Sequence, residues 1–65
     1  MRVHYDGEEH EAHLTTEHAA SSYGQPVLVL DTGQALGTGD VSALKLLEAT
    51  EAEIEALTAA GYYLS

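Results

Sequence analysis

Four histidines fall within the first 18 residues, His4, His10, His13 and His18, among the carboxylates Asp6, Glu8, Glu9, Glu11 and Glu17. Imidazole next to carboxylate is the material of zinc or nickel sites and of acid–base chemistry. Spacing decides what these groups can do together. His10 and His13 project to opposite faces of a strand, so they meet at one ion only if the segment is helical. The zinc-binding helical pattern His-Glu-x-x-His is absent, because the run reads His10-Glu11-Ala12-His13. The expectation is surface imidazoles paired with nearby carboxylates, with no metal and no cofactor.

Leu30-Asp31-Thr32-Gly33 resembles the active-site loop of aspartic proteases. That resemblance implies two such aspartates sharing a proton, hence a homodimer, because this chain carries one copy. The family pattern has Ala or Ser where Gln34 stands, and no apolar-apolar-Gly segment supports the loop. Asp-Thr-Gly is also a common hairpin turn, and a turn is the reading adopted. Gly37-Thr38-Gly39 offers backbone amides to a phosphate, but Ser42 occupies the last place of the six-position glycine fingerprint. No lysine follows, and Asp40 adjoins the loop. Ser21 and Ser22 near His18 lack a nucleophile elbow or an oxyanion signature. No enzyme is expected.

What remains is the carboxylates themselves. Eleven Asp and Glu against Arg2 and Lys45 give a formal net charge of −9 over 65 residues. Such a chain repels nucleic acid and anionic lipid and attracts basic protein surfaces. The charge sits at the two ends of the sequence: Glu8, Glu9 and Glu11 early, Glu48, Glu51, Glu53 and Glu55 late, with a nearly neutral middle. If the last helix began early enough to include Glu48, then Glu48, Glu51 and Glu55 would form one stripe with neighbours about 5–6 Å apart, comparable to phosphates along a nucleic-acid strand. A solvated face, or adaptation to a salt-rich cytoplasm, accounts for the same residues without a partner.

The elements that must position these groups begin with a hairpin. Asp6-Gly7 is a type I′ turn dipeptide between segments of strand-like alternation. A two-residue turn sets Tyr5 opposite Glu8, His4 opposite Glu9, Val3 opposite His10 and Arg2 opposite Glu11. Met1, Val3, Tyr5, Ala12 and Leu14 then share a core face, while Arg2, His4, Glu9, Glu11 and His13 share a wet one. Thr15 or Thr16 can cap a short helix through about Tyr23, with Gly24 as its stop. Val27 to Leu30 is the most apolar run and suits a strand buried on both faces at the centre of the sheet. Asp31-Thr32-Gly33 turns into a returning strand, Gln34 to Leu36. From Val41 to Ala49, the propensity of Leu44 to Leu47 favours a helix capped by Asp40, while the short length also permits a strand. Thr50 and Glu53 have the form of a capping box for a helix from Glu51 to Ala60, with Ala52, Ile54, Leu57 and Ala60 as its apolar contacts and Gly61 as its stop.

The chain thus reads as one small α+β domain over residues 1–65: an N-terminal hairpin and a central strand in a mostly antiparallel sheet, with a C-terminal helix packed on one face. It has no cysteine, so no disulfide or thiolate metal site braces it. An apolar share of 45% argues for a folded chain. Small size favours a homodimer, with Tyr62, Tyr63 and Leu64 as the oligomer contact. No apolar run long enough to span a bilayer and no signal segment is found, so a cytoplasmic location without membrane contact is expected. The functional expectation is a non-enzymatic acidic module whose Glu48, Glu51, Glu53 and Glu55, then Glu8, Glu9 and Glu11, meet a basic partner protein rather than nucleic acid. In size and charge it is similar to small phage-encoded anti-restriction and anti-CRISPR inhibitors. A structural or assembly subunit is the alternative, using the Tyr62 end and an exposed sheet edge.

Overall fold

The computed structural model describes residues 1–63. Strands β1 (Arg2–Tyr5) and β2 (Glu8–Thr15) form the expected hairpin, with Arg2 opposite Glu11, Val3 opposite His10, His4 opposite Glu9 and Tyr5 opposite Glu8. Asp6 at φ 52° and Gly7 at φ 84° supply the two left-handed residues that a type I′ turn needs. That turn fixes which face is core. Val3 and Ala12 are buried, whereas Arg2, Glu9, Glu11 and His13 are exposed on the other side.

Strand β2 is long enough to serve two ladders: Glu8 to Glu11 pair with β1, and Ala12 to Thr15 pair with β3 (Val27–Leu30). Strands β4 (Ala35–Leu36) and β5 (Leu44–Glu48) complete an antiparallel sheet of order β4-β3-β2-β1-β5. The centre of the sheet is therefore β2, not the Val27–Leu30 strand. That strand is buried on both faces as its composition demands, yet it lies beside the short edge strand β4.

One predicted helix is replaced, and the segment left open between helix and strand resolves as a strand. Thr15 stays in β2 opposite Val27, and residues 16–26 form a turn-rich loop instead of a helix. The reason is local competition for backbone groups. Thr15 Oγ1 takes the N–H of Glu17 at 3.0 Å and His18 Nδ1 takes the N–H of Ala20 at 3.0 Å, which diverts donors a helix would use. The loop folds back along β3, where His18 Nε2 donates to the carbonyl of Gly33 at 3.1 Å in the far turn. Val27 and Val29 are also buried, with side chains that alternate with those of Leu28 and Leu30 and lie outside the main core cluster. In the second case, Thr38–Ala43 makes a 3₁₀ segment, with Asp40 accepting the N–H of Gly37 at 2.9 Å, and Leu44–Glu48 runs as β5 against β1. Leu44 is buried in the core and Leu46 packs against it, so tertiary burial overrides helix propensity.

The one α-helix among the described residues, α1 (Glu51–Ala59), starts where its capping box predicts: Thr50 Oγ1 accepts the N–H of Glu53 at 3.2 Å and Glu53 accepts the N–H of Thr50 at 2.8 Å. It docks on the core side of the sheet through Leu57, while Ala52 stays exposed and Ile54 is 44% exposed, against expectation for both. The helix ends in a Schellman motif: Gly61 N–H bonds to Thr58 O at 3.0 Å and Tyr62 N–H to Leu57 O at 2.9 Å. Gly61 sits at φ 94°, a conformation that a side chain would strain. This reversal drops Tyr62 onto Leu57 and into the core with Val3, Leu28, Leu36 and Leu44. The tail residue Tyr62 is therefore 2% exposed within its own chain and is not free to form an oligomer contact. Tyr63 is 74% exposed, and Leu64 lies outside the described residues.

Candidate interaction surface

The register brings both acidic ends of the sequence to one place. Arg2 pairs with Glu11 on one side and with Glu48 on the other, across β2 and β5. A bulge between the Arg2 and Val3 pairings lets Glu48 join Arg2 on the face away from the core. The guanidinium reaches Glu9 at 2.8 Å and Glu11 at 3.4 Å. Its affinity for the proton rises further, first through the hydrogen bond to Glu9 and then through the charges of Glu9 and Glu11.

Glu53 arrives from the other side of the sheet. Its carboxylate lies 3.2 Å from the Met1 amine, which also stands 3.8 Å from Glu11. The N–H of Thr50 and then the Met1 amine hold the Glu53 carboxyl below its usual range. Met1, Arg2, Glu11, Glu48, Thr50 and Glu53 thus line a shallow cleft of about 260 Å³ at one end of the sheet. Three carboxylates, Glu11, Glu48 and Glu53, reach the cleft from β2, β5 and α1, and Glu9 of β2 joins them through Arg2.

Not every predicted site residue joins them. Glu8 lies at the turn end of the hairpin, with its carboxylate 3.8 Å from His10 Nε2, in a second cleft with Tyr5, Asp6, Thr32 and Gln34. Glu51 and Glu55 are exposed on α1, but Glu48 belongs to β5, so the single helical stripe Glu48-Glu51-Glu55 is not formed. The convergence at Arg2 arises from strand register instead. With Val41–Ala49 open between helix and strand it could not be read, whereas the hairpin register already placed Arg2 beside Glu11.

The histidines are dispersed. His10 Nδ1 donates to Asp31 Oδ1 at 2.8 Å, and Asp31 Oδ2 accepts the N–H of Glu11 at 3.3 Å. The His10 bond, followed by that from Glu11, lowers the Asp31 carboxyl from its usual range. Asp31-Thr32-Gly33 is the β3–β4 turn, closed by Gly33 N–H on Leu30 O at 2.9 Å. Among the described residues no group of three or more His, Asp or Glu is placed to hold a metal ion, and no helix is long and apolar enough to cross a membrane.

The fold is thus an antiparallel five-stranded sheet with one C-terminal helix, of the α+β class. Comparison with protein families, with curated proteins and with solved structures finds no match for this chain.

Proposed function

We propose that this chain is a non-enzymatic binding module that sets its acidic end against a basic surface of a partner protein. In its sharpest form it is an inhibitor that occupies a nucleic-acid-binding groove, as small phage-encoded anti-restriction and anti-CRISPR proteins do, acting in the cytoplasm. The observation that carries this reading is the convergence of Glu9, Glu11, Glu48 and Glu53 from three elements around one arginine and one amine. More carboxylates gather there than the cations present can neutralise, and the unformed pairs are what a basic partner would complete.

The test is a binding measurement against an arginine-rich protein or peptide at low and high salt. Replacing Glu9, Glu11 and Glu48 by glutamine removes three of the four converging carboxylates and leaves the helix cap made by Glu53 in place. Association should slow at least tenfold for this variant at low salt and converge on the unaltered protein at high salt. Equal rates for both proteins at low salt would remove the proposal.

A second reading, an assembly subunit, is favoured by the position of β5 at the sheet edge with Leu47 43% exposed, and by Tyr63, 74% exposed. Lys45 and the β5 bulge blunt that edge, and a net charge of −9 on each copy opposes self-association. Sedimentation over a wide concentration range separates the two: a mass that grows with concentration supports assembly.

A further inference from the structure

The loop between β2 and β3 carries a residue that does nothing for the chain that bears it. Gln25 N–H bonds to Ser22 O at 2.9 Å, and the two residues between them, Tyr23 and Gly24, have φ of 55° and 72°. These values define a type I′ turn, the same turn that Asp6 and Gly7 make at the tip of the first hairpin. The two turns form an internal comparison. The first uses aspartate at its leading left-handed position, a residue whose short polar side chain tolerates that conformation. The second uses tyrosine, for which a positive φ is strained.

Burial does not compensate for the strain. Tyr23 is fully exposed, at 101% of its reference area, and the largest apolar side chain so displayed. Nor is the loop loose. His18 uses both ring nitrogens, accepting from Ala20 and donating to Gly33, and Ser21 Oγ donates to the carbonyl of Gln25. A tied-down loop therefore holds a bare aromatic ring in solvent, on a backbone that an asparagine would occupy with less strain. Where a residue breaks a local rule with no return inside the chain, the return is sought outside it.

We infer that Tyr23 is a recognition residue, an aromatic anchor seated in advance for arginine side chains on the basic partner surface. The inference deepens the acidic-module reading and rests on it. Charge sets the class of partner, because a chain at −9 draws cations and repels anions. Within that class, a phenol ring selects guanidinium over ammonium, since the planar guanidinium stacks on an aromatic face and is weakly hydrated. Rigid tyrosines in Ser- and Gly-containing loops serve as anchors at low conformational cost, and the Ser21-Ser22-Tyr23-Gly24 tip has that composition.

The experiment uses the full chain with two probes, an oligo-arginine and an oligo-lysine peptide of equal charge, followed by NMR at low salt. Tyr23 ring signals should move with the arginine probe. Tyr23→Asn should weaken arginine-peptide binding at least threefold, leave lysine-peptide binding within error, and raise the Tm by roughly 4–8 °C through relief of the turn. Tyr23→Phe should retain arginine binding, because it keeps the ring. If both peptides bind and depend on Glu9, Glu11 and Glu48 while the Tyr23 ring is silent and Tyr23→Asn binds normally, the anchor is overturned and the acidic reading stands. If neither peptide binds at low salt, both fall. A lower Tm for Tyr23→Asn would likewise overturn the inference, since the ring would then be supporting its own chain.

Discussion

The hydroxyl of Tyr62 accepts the backbone N–H of Leu28 at 3.1 Å, across 34 residues of sequence, in the buried interior. The same hydroxyl donates to the carbonyl of Leu36. Leu28 and Leu36 are register partners in β3 and β4, so one phenol oxygen sits between two groups that face each other across the ladder. The residue that closes the C-terminal end of the helix thereby fastens the short edge strand. Tyr62→Phe keeps the ring and removes the bridge. It should cost about 1–3 kcal/mol by stripping partners from buried backbone groups, and each kcal/mol lowers the Tm of so small a domain by about 4–8 °C. Thermal denaturation checks it, and an unchanged Tm would mean that the two backbone groups satisfy each other without the phenol.

Asp31 and His10 tie the β3–β4 turn to β2, and the pair makes stability depend on pH with a defined sign. The folded carboxyl titrates below its ordinary value, chiefly because His10 bonds to its charged form. Stabilisation from this carboxylate is therefore complete above the ordinary aspartate range and is lost as pH falls through the folded value. Asp31→Asn should lower the urea midpoint at pH 7. The gap between variant and parent should close under strong acid, below the ordinary carboxyl range. A gap of constant size from pH 7 to pH 2 would show that charge on Asp31 plays no part.

The hairpin was readable because a single dipeptide, Asp6-Gly7, fixes both the turn and every pairing after it. The α1 start was readable for the same kind of reason, since the Thr50–Glu53 box is a local device. Leu44 to Leu47 was not, because its strand state depends on burial of Leu44 beneath a sheet assembled from residues 40 positions away. With that segment open between helix and strand, the acidic convergence, which needs Glu48 beside Arg2, could not be read either. Tyr62 was read as a tail because its place depends on Gly61 reversing the chain. The loop at residues 16–26 looked helical by its caps, and only the His18 bonds to Ala20 and Gly33 reveal why it is not.

The helix cap has a measurable role because α1 meets the sheet mainly through Leu57. With few tertiary contacts, a helix of 9 residues depends on its ends. Thr50→Ala removes the acceptor for Glu53 N–H and should cost about 1 kcal/mol, whereas Thr50→Ser should restore most of it. Fraying would appear as reduced far-UV helicity before the main transition. Equal helicity in Thr50→Ala would place the stability of α1 in Leu57 and the Schellman turn alone.

Salt should act in opposite directions on the free chain and on its complex. Eleven carboxylates against Arg2 and Lys45 leave repulsion as the larger electrostatic contribution within the monomer. Glu51 and Glu55, one turn apart and exposed on α1, repel over about 5–6 Å, and the Arg2 pairs are exposed and so weakly stabilising. Raising salt from 0.1 M to 1 M shortens the screening length from about 10 Å to about 3 Å, which suppresses repulsion between separated charges more than attraction in close pairs. The Tm of the free protein should therefore rise with sodium chloride, while binding to an arginine-rich partner should weaken over the same range. A Tm that falls with salt would mean that the ring of carboxylates around Arg2 is a net stabilising network, already satisfied within the chain and with little left to offer a partner.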